Sequence, residues 1–393
     1  MNILNTSRDV KLRSGDPYRQ IIFWKKVSIL LVLLMAAILI FETFKTPLPD
    51  SAATNGTNGD LPSVGITSPK APSGSVTGTS GPVTIPTLPN QGNTLWVVSP
   101  KCQCIQLRYY QTGQPSSPRI SVPAGPISMI DDPTGLQQYI LSQDASSISI
   151  INLLNGKITR TLNISDSPNS MWINYAQTTL FVTSSKNNTL SSLSLSGLKP
   201  GFTVAAGPNP TSVVANASGT IAYVADAGND TVLPIDLTSK PPKPLTPIPV
   251  GKDPTSLYLD PTTNEVVYVV NHDSGTISMI GLPSNRVIAT VNVGGLPDSI
   301  SVDPYTQTAY VAISNEGVIV PINLFDVVAG SPIDVGPDPT TVTAGIQGSH
   351  IFVTLGGNDT GVYFDPKNPN TKVVYQLPPG VVFVSYFVPA PPR

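Results

Sequence analysis

Apolar residues beyond position 94 fall in short runs rich in Val, Ile and Tyr, broken by clusters of Gly, Asn, Asp, Ser and Pro. No run repeats at the three-and-four spacing of an amphipathic helix, so they read as β-strands joined by tight turns. Two markers recur. A proline opens an apolar run at Pro126, Pro168, Pro210, Pro254, Pro297, Pro339 and Pro379, at spacings of 42, 42, 44, 43, 42 and 40 residues. An aromatic sits inside a β-branched run at Trp96, Tyr139, Phe181, Tyr223, Tyr268, Tyr310 and Phe352, at spacings of 43, 42, 42, 45, 42 and 42. Two ladders of one period mark an array whose units cannot bury their apolar faces alone. The prediction is an all-β, seven-bladed β-propeller over residues 94–393.

The unit that starts at Pro210 shows the expected blade. Residues 212–215 form a first strand, 221–225 a second and 231–237 a third, with residues 244–250 as an outer segment before Pro254. The turn at residues 226–230, Asp-Ala-Gly-Asn-Asp, is rich in types that tolerate positive φ. Pro234 inside the third strand has no N–H to give, so bonding there should be limited. The array opens at Leu95-Trp96-Val97-Val98 with no proline-led strand before it, and ends with Pro379 leading residues 381–388. Each end carries the piece the other lacks. Seven full blades therefore require residues 381–388 to pair beside 95–98 and close the ring.

Several second strands carry a related tetrad: Tyr223-Val224-Ala225-Asp226, Tyr268-Val269-Val270-Asn271, Tyr310-Val311-Ala312-Ile313, Phe181-Val182-Thr183-Ser184 and Phe352-Val353-Thr354-Leu355. Gly228-Asn229-Asp230-Thr231-Val232 and Ser274-Gly275-Thr276-Ile277 follow as turns into the third strand. In these features the chain resembles the YVTN-type β-propeller repeats of prokaryotic, including archaeal, cell-surface proteins. The resemblance implies the fold and a place in the cell envelope; its shared residues are structural and name no chemistry.

The N-terminal part is of another kind. Residues 27–41 contain a single polar side chain, Ser28, and Thr43-Phe44, beyond Glu42, can extend the run. Arg8, Lys11, Arg13, Arg19, Lys25 and Lys26 precede it against Asp9 and Asp16. That asymmetry predicts a cytoplasmic segment over 1–26, a single-pass transmembrane signal anchor over 27–44, and an extracytoplasmic remainder. Residues 45–93 are dominated by Pro, Gly, Ser, Thr and Asn, the composition of a flexible linker. Ser51-Ala52-Ala53 would suit a signal peptidase, but it lies well beyond the apolar run, with Pro47 and Pro49 between.

Charge narrows the partners. Asp, Glu, Lys and Arg make up 12% of the chain, about half the usual share, and neither sign clusters enough beyond residue 50 for nucleic acid. Candidate chemistry is sparse. Cys102 and Cys104 are the only cysteines, and their C-x-C spacing suits a structural disulfide or an inert thiol pair, with soft-metal or redox chemistry and a crosslink to a partner as the alternatives. The only histidines are His272, on a polar loop, and His350, in a turn entering a strand, where a surface position is expected. A histidine-based general base or metal centre would need companions, and two histidines 78 residues apart name none.

The turns after the second strands gather the richer constellation: Asp144, Asn188, Asp226, Asp230, Asn271, His272, Asp273, Asn315, Glu316 and Asp359. In a propeller they share a face with the proline-leading loops that carry Asp166, Asp253, Asp298 and Asp338. Such oxygen-rich turns can bind a partner or Ca²⁺, and Asn, Asp and Gly are equally what tight turns demand. No other cofactor is suggested. Sequons at Asn55, Asn163, Asn187, Asn216, Asn229 and Asn358 permit glycosylation, at a frequency chance would give.

The expectation is a non-catalytic recognition or scaffolding module that binds envelope proteins or surface glycans. The alternative is an enzyme, or an accessory subunit of a membrane-bound redox complex, with its site at the channel mouth. N-terminal sequencing of the extracted protein should find the anchor retained; a sequence starting at Thr54 would show it cleaved.

Overall fold

The computed structural model describes residues 94–386 apart from 110, 132–136, 154, 165–166, 175, 177, 283 and 346–349. The expected cytoplasmic segment, anchor and linker, with Asn55, and the loop residue Asp166 lie outside these residues. No helix among the described residues is long and apolar enough to cross a membrane. What is described is the ring.

Seven antiparallel sheets stand in sequence order, as the two ladders predict. Innermost strands run Pro126–Asp131, Pro168–Ile173, Pro210–Ala215, Pro254–Leu259, Pro297–Asp303 and Pro339–Ala344, each opening on its marker proline. Beside them lie the second strands Gln137–Ser142, Thr179–Ser184, Ile221–Asp226, Val266–Asn271, Thr308–Ile313 and Ile351–Leu355. The aromatic ladder is the core of these strands. Trp96, Tyr223, Tyr268 and Phe352 are no more than 2% exposed, and Tyr139, Phe181 and Tyr310 no more than 5%. Burying side chains of this size is worth about 2–3 kcal/mol each, so the seven aromatics anchor seven sheets against their neighbours.

The first blade is composite. Thr94–Ser99 pairs with Cys104–Tyr109 on one edge and with Phe383–Tyr386 on the other, in the register Leu95↔Tyr386 to Val98↔Phe383. Ring closure by the C-terminal strand is thereby borne out, with one correction. The described strand starts at Phe383, not at residue 381, and Pro379 does not open it. The stretch from Leu377 to Val381 instead spans the seam. Leu377 and Val381 pack against Leu95, Val97 and Phe352, and the Ser99 hydroxyl donates to the Pro379 carbonyl at 2.6 Å.

Every proline-led strand also has a bulge. Register slips by one residue after Pro126, Pro168, Pro210, Pro254, Pro297 and Pro339. The residue after each proline is left unpaired, and a bulge re-aims its side chain. Asn169 Nδ2 thus donates to the Pro210 carbonyl at 2.5 Å, and Thr211 Oγ1 to the Pro254 carbonyl at 2.7 Å. These bonds tie one blade's inner end to the next.

Pro234 has the effect expected of it, and Pro321 repeats it. Each carbonyl faces outward, accepting from Leu245 or Gly330 at 2.8 and 2.7 Å. The missing N–H therefore faces the outer strand too. Opposite these prolines that strand breaks in two, into Lys243–Pro244 and Ile248–Pro249 in one blade and Val328–Ala329 and Ile333–Asp334 in the other. In the second, fifth and seventh blades Lys157–Asn163, Arg286–Asn292 and Asn368–Gln376 run unbroken.

Deleting residues 380–393 should lower the melting temperature by about 10 °C or more, since a few kcal/mol move a domain of this size that far. An unchanged melting temperature would refute closure through Phe383–Tyr386.

Candidate functional site

The turns between second and third strands gather most of the polar residues singled out above, and their backbone explains many of them. One residue in each turn has positive φ: Gln103, Ser146, Asn188, Asp230, Gly275, Gly317 and Asp359. The left-handed conformation costs most residues about 1–2 kcal/mol, and Asn, Asp and Gly are the types that visit it routinely. Asn188, Asp230 and Asp359 also use their side chains as clamps. Their Oδ1 atoms accept from the backbone N–H of Asn209, Asp253 and Gly380 at 3.0, 2.9 and 2.6 Å. Asn315 accepts from the Leu296 N–H at 2.7 Å in the same manner. These four stabilise the face on which they lie.

Asp226 and Asn271 are a correction of another sort. As the last residues of second strands they are 2% and 0% exposed and do not reach the turn surface. Asn271 Nδ2 donates to the hydroxyls of Thr276 and Ser278. Asp226 Oδ2 accepts from Asn229 Nδ2 at 2.8 Å, while its Oδ1 has no partner. The connection to this blade passes over the carboxylate at Gly207, where any Cβ would collide with Oδ2 and φ is +82°. Burial raises the Asp226 pKa above the ordinary carboxyl value, against the lowering effect of its bonds from Asn229 and Gly228.

What the face offers to solvent is a ring of turn tips. Asp144, Lys186, Asn187, Asn229, Asp273, Asn315, Glu316 and Asn358 are all exposed. Of the sequon residues, Asn163, Asn187, Asn229 and Asn358 are exposed. Asn216 is held by its own turn: its Oδ1 accepts from the N–H groups of Thr220 and Ile221, and its Nδ2 donates to Thr220 Oγ1. Cys102 and Cys104 form a disulfide around the left-handed Gln103.

One cluster of ionisable groups assembles on this face. In several blades the residue after the second strand donates its N–H to the carbonyl before the leading proline: Gln143 to Gly125, Ala227 to Asn209, His272 to Asp253, Ser314 to Leu296 and Gly356 to Asp338. In the fifth blade that bond sets an imidazole beside a carboxylate. His272 Nδ1 lies 3.1 Å from Asp273 Oδ1 and 3.6 Å from Asp253 Oδ2. Its Nε2 lies 3.4 Å from Asp298 Oδ1, on the bulged residue of the sixth blade. Burial raises the Asp298 pKa and Asp338 adds to the rise, opposed by a bond from Ser314 and by His272.

Sequence reasoning placed these residues on one face but not in one cluster. The bulge that turns Asp298 toward His272 is what it missed; the repeated Pro-x step was the available signal. His350 differs from its expected surface position. It is half-buried and stacks on Tyr363, with ring centroids 4.5 Å apart, and burial lowers its pKa.

No protein-family model and no curated protein matches this chain. Among solved structures it is similar to a functionally unknown protein from Desulfotomaculum acetoxidans DSM 771, with a TM-score of 0.60 and 14% identity over 70% of this chain and 93% of that one. A weaker match is Kuenenia stuttgartiensis hydrazine synthase, with a TM-score of 0.44 and 12% identity over 64% of this chain and 95% of that one. The first supports the propeller fold alone.

Asp226 gives a pH prediction. A carboxyl whose pKa is raised by folding binds more protons in the native state than in the unfolded one, so its contribution to stability falls as pH rises through that window. Asp226→Asn should therefore raise the melting temperature at pH 7 and lose that advantage near pH 4, as read by thermal unfolding at both pH values. A variant that is equally destabilised at both would contradict it.

Proposed function

We propose that this chain is a membrane-anchored, extracytoplasmic recognition module, whose turn face binds envelope proteins or surface glycans without chemical turnover. The observation that carries this reading is the ring of exposed turn tips, Lys186, Asn187, Asn229, Asn315, Glu316 and Asn358 among them, on a scaffold fixed by backbone bonds. A pre-ordered surface loses little entropy when it binds. Side chains with both donors and acceptors suit partners that are themselves polar and weakly charged.

The anchor supports the location. The apolar run over residues 27–41 follows six basic residues, which favours retention of residues 1–26 in the cytoplasm and display of the ring outside. The likeness of the repeat tetrads to YVTN-type surface proteins points the same way. A chain in which only 12% of residues are charged also changes little in charge on acidification, which suits an acidic exterior.

Affinity capture of the full chain from its native membrane, with mass spectrometry of what accompanies it, tests the reading. Asn187→Lys and Glu316→Lys together should cut partner recovery about tenfold while shifting the melting temperature by no more than about 2 °C, as surface changes do. Undiminished recovery would remove this face from the interaction. Co-purification of a redox cofactor with turnover would favour the membrane redox complex instead.

A further inference from the structure

The cluster around His272 brings together more than acidic groups. One ligand atom from each of Asp253, His272 and Asp273 lies within 4.8 Å of the other two, and Nδ1 of the imidazole faces Oδ2 of Asp253 and Oδ1 of Asp273. Two of the separations, 3.1 and 3.6 Å, bracket the spacing of about 3.4 Å between neighbouring ligands of a tetrahedral ion with bonds near 2.1 Å. The other imidazole nitrogen is also accounted for. Nε2 faces Asp298 Oδ1 at 3.4 Å, the place where metal-binding histidines hold a carboxylate that fixes the tautomer and turns the opposite lone pair to the ion.

The arrangement gathers negative charge that a cation neutralises, whether a second proton on the imidazole or a metal ion. With the proton on Nε2, Nδ1 is an acceptor facing two groups that only accept, so three lone-pair donors converge without a hydrogen among them. A proton on Nδ1 would serve Asp273 at 3.1 Å and leave Asp253, at 3.6 Å, beyond hydrogen-bond reach. A divalent ion would serve all three. The ligands come from different parts of the ring: Asp253 from the connection between the fourth and fifth blades, His272 and Asp273 from the turn of the fifth. Asp273 is exposed, so a fourth position would open to water or to a group on a partner.

We propose that Asp253, His272 and Asp273 form a binding site for a first-row divalent cation, Zn²⁺ being the representative, with Asp298 as the residue that orients His272. An imidazole with two carboxylates suits zinc and its neighbours, whereas Ca²⁺ takes oxygen ligands almost throughout. The site shares the turn face, through Asp273, with the exposed tips that carry the recognition reading, but ion binding there does not depend on that reading.

The test uses the untagged full chain in detergent, stripped of metal and titrated with Zn²⁺, Ca²⁺ and Co²⁺. One equivalent of Zn²⁺ should bind in preference to Ca²⁺, and Co²⁺ should give the visible absorption of a low-symmetry nitrogen and oxygen site. His272→Gln and Asp253→Asn should each abolish the stoichiometric binding and the cobalt spectrum, and Asp298→Asn should weaken affinity about 10-fold or more while keeping a cobalt signal. His350→Gln, the control, should change neither. Should His272→Gln fail to fold, Asp273→Asn is read in its place, because Asp273 is exposed. No binding at micromolar Zn²⁺, or binding that survives both His272→Gln and Asp253→Asn, would overturn the site. A clear preference for Ca²⁺ would overturn the assignment of the ion.

Discussion

One backbone hydrogen bond, made seven times, sets the geometry of everything else in this ring. The residue just past each outer strand donates its N–H to the carbonyl of the left-handed turn residue: Val122 to Gln103, Ile164 to Ser146, Ala206 to Asn188, Val250 to Asp230, Val293 to Gly275, Val335 to Gly317 and Leu377 to Asp359. The bond turns the chain from the rim back toward the centre, across the top of its own blade. It also pins the connection on which Asp253 and Asp338 lie. Because it joins main-chain atoms, it leaves the side chains of the turn free to vary among Gln, Ser, Asn, Asp and Gly.

That arrangement explains what could be read from the chain and what could not. The proline and aromatic ladders were legible because each marker does one structural job per blade, opening the inner strand or filling the core. Closure was legible because the ends of the array are complementary. The outer strands were the least legible part: at Lys157–Asn163 nearly every residue is exposed, so no apolar pattern announces a strand. The split opposite Pro234 was foreseeable in kind, since a proline withholds a donor, but not its exact extent.

The site divides in the same way. Asn188, Asp230 and Asp359 read equally well as turn formers and as ligands, and only the bonds to Asn209, Asp253 and Gly380 decide between them. Asp226 and Asn271 misled because the second strands are buried on both faces, so period-two alternation gives no sign of which way a terminal polar residue points. His272 and Asp298 lie 26 residues apart in the chain. Their meeting depends on a bulge in one blade and a turn in its neighbour, a relation that no local pattern encodes.

The composite first blade has a mechanical consequence. Thr94–Ser99 is bonded along both edges, to Cys104–Tyr109 and to Phe383–Tyr386, so the chain enters the ring between two partners and not along a free edge. Tension arriving from upstream of Thr94 would act along the strand and load both ladders in shear, with their bonds resisting together instead of opening one after another. A ring pulled at that point would yield only when both neighbours let go, which makes the seam between its two ends the part best placed to withstand force.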